Sequence, residues 1–215
     1  MSNRSRIVES VDDRIRKDLV FMNNPVLIDG LALAPVIAAA ITTKNAVILS
    51  IAAAIILIPT RFIGNLLIGI VPQRLRMMFY SLIASLLFVP ALMVIVDVFA
   101  FDITIVGLYF PIIVVDGIVL SRCEIPSREK VGESFLNGIK TAIGFAIVII
   151  SVGFIRELLV YNEIWGRKIS FSFKLGIFGT TAGGFILLAL MCATTQWIVS
   201  ALKRRIYSGV KKDAE

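Results

Sequence analysis

The sequence predicts an all-α integral membrane protein: six transmembrane helices forming two inverted three-helix repeats, with helices 1 and 4 broken. Three observations lead there. Of 215 residues, 58% are hydrophobic and only 17% charged, with a mean hydropathy of +0.91, well beyond an ordinary water-soluble domain. The apolar residues gather in runs of the length needed to cross a bilayer core, about 20 residues. Finally, "VLIDGLALA" at 26–34 is echoed by "IVVDGIVLS" at 113–121, each apolar run being interrupted by Asp-Gly (Asp29-Gly30 and Asp116-Gly117).

The expected spans are 25–42, 46–70, 77–97, 104–121, 134–159 and 175–201. They form a membrane domain over 25–202, between a basic tail at 1–24 and another at 203–215. The connections "TTKN" (42–45), "VPQR" (71–74) and "IPSREK" (125–130) are short and polar; 160–174 is longer and aromatic-bearing, suited to the interface. The first tail is polar and mixed in charge, without the apolar core of a signal peptide. Sorting Lys and Arg by side puts fifteen with the two tails and only four opposite (Lys44, Arg167, Lys168, Lys174). By the positive-inside rule both termini are cytoplasmic, in a multi-pass protein of the inner (plasma) membrane. The net charge of +7 therefore belongs to loops and tails, and nucleic acid is not an expected partner.

Much chemistry is excluded. There is no histidine and there are only two cysteines, Cys123 and Cys192, so neither a structural zinc site nor a histidine-dependent nucleophile can be assembled. No phosphate-binding or dinucleotide fingerprint is present. "GIFGTTAGG" at 176–184 contains Gly179-x-x-x-Gly183, a pattern for close helix approach in a membrane. An odd number of spans per repeat would bring the second repeat in from the opposite side, as in many transporters whose broken helices meet near the midplane.

Longer stretches carry a resemblance. "NPVLIDGLALAP" at 24–35, "FPIIVVDGIVLSRCE" at 110–124 and "FLNGIKTAIGFAIVIISVGFIRELL" at 135–159 together resemble the Rnf/Nqr family of membrane subunits, in particular its RnfE/NqrD branch. The matching residues are Asn24, Pro25, Val26, Leu31, Pro35, Pro72, Arg76, Pro111, Ile113, Arg122, Glu124, Asn137, Gly138, Gly144, Gly153, Arg156 and Glu157. The resemblance spans about residues 24–200. It implies a membrane subunit of an electron-transport complex that moves Na⁺ or H⁺. It also implies six spans in two inverted repeats, and a paralogous partner subunit of opposite topology with which a [2Fe–2S] cluster is shared through two cysteines from each chain.

The departure falls on those ligands. The two cysteine slots hold Ala34 and Gly117, the glycine before the first is Ala32, and the asparagine before the second is Asp116. Clusters need thiolates, so no cofactor is expected to be bound by this chain alone; Cys123 and Cys192 are out of position. The candidate ion-binding or otherwise functional residues are the intramembrane acids Asp116 and Asp29. Asp116 is either part of a cation site with freed backbone carbonyls or a carboxyl bonded to a neighbouring helix; Asp29 is either functional or an interfacial first-turn acid. Arg61 and Lys140 either pair with these acids or snorkel. Arg156 and Glu157, adjacent on one helix, need separate partners. Asp97 and Asp102 are either an acidic mouth for cations or solvated loop acids. The expected function is a diverged subunit of an Rnf/Nqr-like ion-translocating oxidoreductase complex, without catalytic residues of its own; the alternative is a re-purposed inverted-repeat transporter of a cation or small solute.

Overall fold

The computed structural model describes residue 15 and residues 18–99, 110–124, 130–168 and 174–212, with side chains placed as far as 120 and 208 in the segments ending at 124 and 212. The helices are α1 (Leu33–Ala39), α2 (Thr43–Leu67), α3 (Arg76–Phe99), α4 (Ile112–Val115), α5 (Gly117–Glu124), α6 (Val131–Tyr161) and α7 (Thr181–Lys212), with 3₁₀ turns at Gln73–Leu75 and Gly176–Gly179. Four stretches are long and apolar enough to cross a membrane: Thr43–Leu67, Gln73–Phe99, Val131–Tyr161 and Thr181–Ser208. They correspond to expected spans two, three, five and six.

Spans one and four are different. Only Leu33–Ala39 of 25–42 is helical, about 10 Å at 1.5 Å per residue, a third of the roughly 30 Å core. Residues ahead of it form turns, with Gly30 at φ 69° and Ala32 at φ 59°, backbone that no right-handed helix contains. In span four, Asp116 takes an extended conformation (ψ 150°) between α4 and α5; its expected start at 104–109 lies outside the described residues. The described residues thus hold four helices long and apolar enough to cross a membrane and two interrupted segments, which lie where helices 1 and 4 were expected to be broken.

The organising helix is α2. It packs along α6 and α3, and also meets α1 and α5. Its buried residues Ala46, Leu49, Ala52, Ala53, Ile56 and Leu57 recur at three- and four-residue steps, the period of one helix face. Opposite them, Gly138 and Gly153 of α6 let backbones close. A Cβ at Gly153 would lie 2.8 Å from Ala46 Cβ and 2.9 Å from Thr42 O. On the other side, a Cβ at Gly64 would enter the Tyr80 ring of α3. Small residues are how membrane helices gain close contact, since burial from water offers little between apolar helices in lipid.

Much of α3 and α7 faces outward. Met78, Leu86, Met93 and Val98 on α3, and Leu190 and Trp197 on α7, are exposed. An apolar exterior of this extent suits hydrocarbon. Helix α7 continues past 202 to Lys212.

The described residues are mostly helical. The connection after α6 contains a two-stranded hairpin, Glu163–Ile164 paired with Arg167–Lys168. Trp165 (φ 54°) and Gly166 (φ 78°) make the doubly left-handed turn that matches strand twist. Glu163 stands opposite Lys168, an opposite-charge cross-strand pair.

Candidate functional site

The two interrupted segments meet, and their meeting place is the site. It is built on Asn24, which is buried and fully engaged. Its Oδ1 accepts the backbone N–H of Val26 (2.9 Å) and Leu27 (3.2 Å), and its Nδ2 donates to Val20 O (2.9 Å) and to Gly144 O on α6 (3.0 Å). Pro25 follows, and turns then carry the chain to Gly30, whose N–H donates to Val26 O (3.1 Å). Gly144 has to be glycine for this contact: a Cβ there would stand 2.6 Å from Leu19 O. The sequence singled out Asn24 and Gly144 separately; nothing in it says they touch.

The C-terminal end of α1 is held by Arg156. Its guanidinium, almost wholly buried, donates to Ile37 O and Ala40 O (3.2 Å) at that end. It also donates to Phe178 O (2.8 Å), Gly179 O (3.5 Å) and Thr180 O (3.2 Å) ahead of α7. A charge-assisted donor set is spent on the carbonyls that helix ends leave open. Glu157, one residue on, accepts the N–H of Thr43 (2.8 Å) and caps α2. The separate partners expected for this Arg-Glu pair are therefore two different helix ends.

At the second break, Asp116 Oδ1 accepts the N–H of Ile118 (3.1 Å), in the first turn of α5. Beside it, Gly117 lies against Leu31, whose Cδ2 would be 3.1 Å from a Cβ on the glycine. The breaks thus touch through Leu31 and Gly117. Ile113, Val114, Ile118 and Val119 are buried around them, whereas Gly30, Leu33, Ala34, Pro111 and Val115 lie on the chain's outer surface.

The other expected site residues are dispersed. Asp29 is at the outer surface beside Gly30. Arg61 is buried and turned to α6, donating to Thr141 Oγ1 (3.3 Å) while its carbonyl accepts Ser134 Oγ (3.4 Å). Lys140 is half-buried and Asp97 exposed; Asp102 lies outside the described residues, as does the side chain of Cys123. Cys192 is half-buried against the core.

Neither Ala34 nor Gly117 offers a side-chain donor atom, and Asp116 already accepts the N–H of Ile118. The residues at this break do not fit the thiolate ligands of an iron–sulfur cluster.

Interrupted helices meeting inside a helical membrane protein define a class, the membrane subunits and transporters built on broken spans. Within that class this chain belongs to the Rnf-Nqr family: the model described as "Rnf-Nqr subunit, membrane protein" matches residues 14–192. Proteins named as the E component of an ion-translocating oxidoreductase complex are similar over most of their length. That of Shewanella oneidensis is 29% identical over 206 residues, 86% of this chain and 87% of the relative. That of Cellvibrio japonicus is 29% identical over 205 residues (86% and 85%), and that of Pseudoalteromonas atlantica 27% over 179 (80% and 76%).

Proposed function

We propose that this chain is the E-type membrane component of an ion-translocating oxidoreductase complex, diverged at the position of the family's cluster. The family match and the relatives' shared name support the first part; Ala34 and Gly117 in the ligand slots support the second. In this reading α1–α3 and α4–α7 are two inverted repeats, both termini are cytoplasmic in the inner membrane, and redox cofactors and any Na⁺ or H⁺ pathway involve other subunits.

One observation carries the partner. The breaks expose non-helical backbone at Gly30 and side chains at Leu33, Ala34 and Val115 on the outer surface. Irregular backbone at membrane depth is tolerated only where protein or a water-filled cavity covers it. A second membrane subunit, the paralogue of opposite topology, covers this face. Asp29 lies on the same face, while Asp116 is offered an N–H donor by Ile118, the polarity of an anion's partner and not of a cation's.

The test is a photo-crosslinking residue at Leu33 or Ala34 in the chain expressed from its native locus. The expected product joins it to another multi-span subunit of the same family. Labelling by lipid alone, in a chain that purifies by itself, would overturn this reading and favour a self-standing transporter.

A further inference from the structure

The connection between α6 and α7 is tied back to the helix it leaves. The N–H of Leu175 donates to Leu159 O (2.9 Å), in the last turn of α6, and a Cβ at Gly179 would lie 3.3 Å from Val160 Cγ1. The chain departs from α6 after Tyr161 and returns to the same level, so the hairpin between stays near the helix end. Its tip at Trp165 follows Tyr161 by four residues, at most about 14 Å of chain. Because α6 is long and apolar enough to cross a membrane, its end lies near a membrane surface, where tryptophan and tyrosine collect.

The tip itself is unusual. Trp165 stands in left-handed backbone (φ 54°), at a turn position that favours Asn, Asp or Gly and where a bulky residue is an outlier. Its side chain is 57% exposed, so neither the turn nor packing within the chain accounts for a tryptophan here. Glu163 and Ile164 are half-buried, whereas Trp165, Gly166, Arg167 and Lys168 are exposed; the hairpin leans its first strand on the protein and turns its tip outward. Charge is gathered at the same place. Of the four basic residues assigned to this side of the membrane, Arg167, Lys168 and Lys174 lie in this one connection, with Glu163 its single acid. An indole has an apolar body and one N–H to donate. Flanked by cations, it matches the layer where acyl chains meet phosphates.

We infer that this hairpin is a lipid-binding element, in which Trp165 inserts at headgroup level and Arg167 and Lys168 hold the phosphates of anionic phospholipid. This depends on the chain lying in a membrane and not on its place in a complex.

The test uses the full-length chain in vesicles with Trp197→Phe, which leaves Trp165 as the sole tryptophan; Trp197 is 74% exposed on α7, so little packing is lost. Bromine near the glycerol end of the acyl chains is expected to quench Trp165, and bromine at the chain ends to leave it bright. In vesicles of one composition, the bromine is carried either by phosphatidylglycerol or by phosphatidylcholine. Quenching is expected to be stronger by about twofold from the anionic lipid, since each cation near an anionic surface is attracted to it. Arg167→Gln with Lys168→Gln is expected to make the two lipids equal. Quenching by water-soluble acrylamide with none by lipid, or equal quenching by both lipids before the Gln substitutions, overturns the inference. A photo-crosslinking residue at 165 in native membranes is expected to yield a lipid adduct; an adduct to another protein overturns the inference and marks the hairpin as a subunit contact. Should the chain not reconstitute alone, this native-membrane adduct decides. Failure of the subunit reading would leave the lipid readouts unchanged.

Discussion

Arg156 shows how little of a side chain's role its own letter reveals. The sequence marks it as a charge near the end of an apolar helix that needs a partner other than Glu157. Its partners are five backbone carbonyls, from Ile37 to Thr180, and carbonyls have no sequence signature. Lysine brings the same charge as a compact point with three donors, not a planar fork with five, so Arg156→Lys is expected to lose about 2–4 kcal/mol through carbonyls left unmet, read as a lower thermal midpoint in detergent. Glu157→Gln, which weakens the cap on α2, is expected to cost about 1 kcal/mol by the same measurement. Ala32 was equally hard to read. It sits at φ 59°, where a side chain is strained, in the slot for which the family resemblance implies glycine. Ala32→Gly is therefore expected to stabilise the chain by about 0.5–1 kcal/mol, because relief of left-handed strain exceeds the added chain entropy.

Between helices the decisive residues are those with least side chain. The sequence marked Gly179-x-x-x-Gly183 for close helix approach, and Gly138, Gly144 and Gly153 only as matches to the family. Which glycine meets which neighbour was not legible, because that depends on axial register between helices far apart in sequence. The contrast can be measured within α6. Gly153→Ala drives a Cβ to within 3 Å of Thr42 O and Ala46 Cβ and is expected to cost about 1–3 kcal/mol. Gly132→Ala, in open space near the start of the helix, is expected to be neutral or slightly stabilising. The interruptions lie within about two residues of the Asp-Gly echoes, at Gly30–Ala32 and at Asp116. Their extents were hidden, since apolar letters in 25–42 read as helix while Asn24 directs the same backbone into turns.

For the molecule as a whole, composition was the surest guide. Apolar content and run length identified a membrane protein, and four helices among the described residues are long and apolar enough to cross a membrane. Orientation rests on charge asymmetry: reporter fusions after Glu215 are expected to be active in the cytoplasm and silent outside it. For the metal content, the chain purified alone under anaerobic conditions is expected to carry no stoichiometric iron or acid-labile sulfide. A cluster lost on replacing Cys123 or Cys192 would show that the ligands lie elsewhere than the break.

The hydrogen bonds of Arg156 also bear on how the protein is made. Ile37 and Ala40 leave the ribosome early, Arg156 more than a hundred residues later, and Phe178 to Thr180 only with the final segment. Until that segment inserts, the guanidinium lacks its last three acceptors and is a poorly compensated buried charge near the end of an apolar helix, which is costly. Insertion of the last helix therefore completes the first half of the protein as well as the second. A nascent chain stopped before residue 178 is expected to be held by the insertion machinery or cleared by membrane proteases, whereas one stopped beyond 200 already contains every acceptor that Arg156 uses.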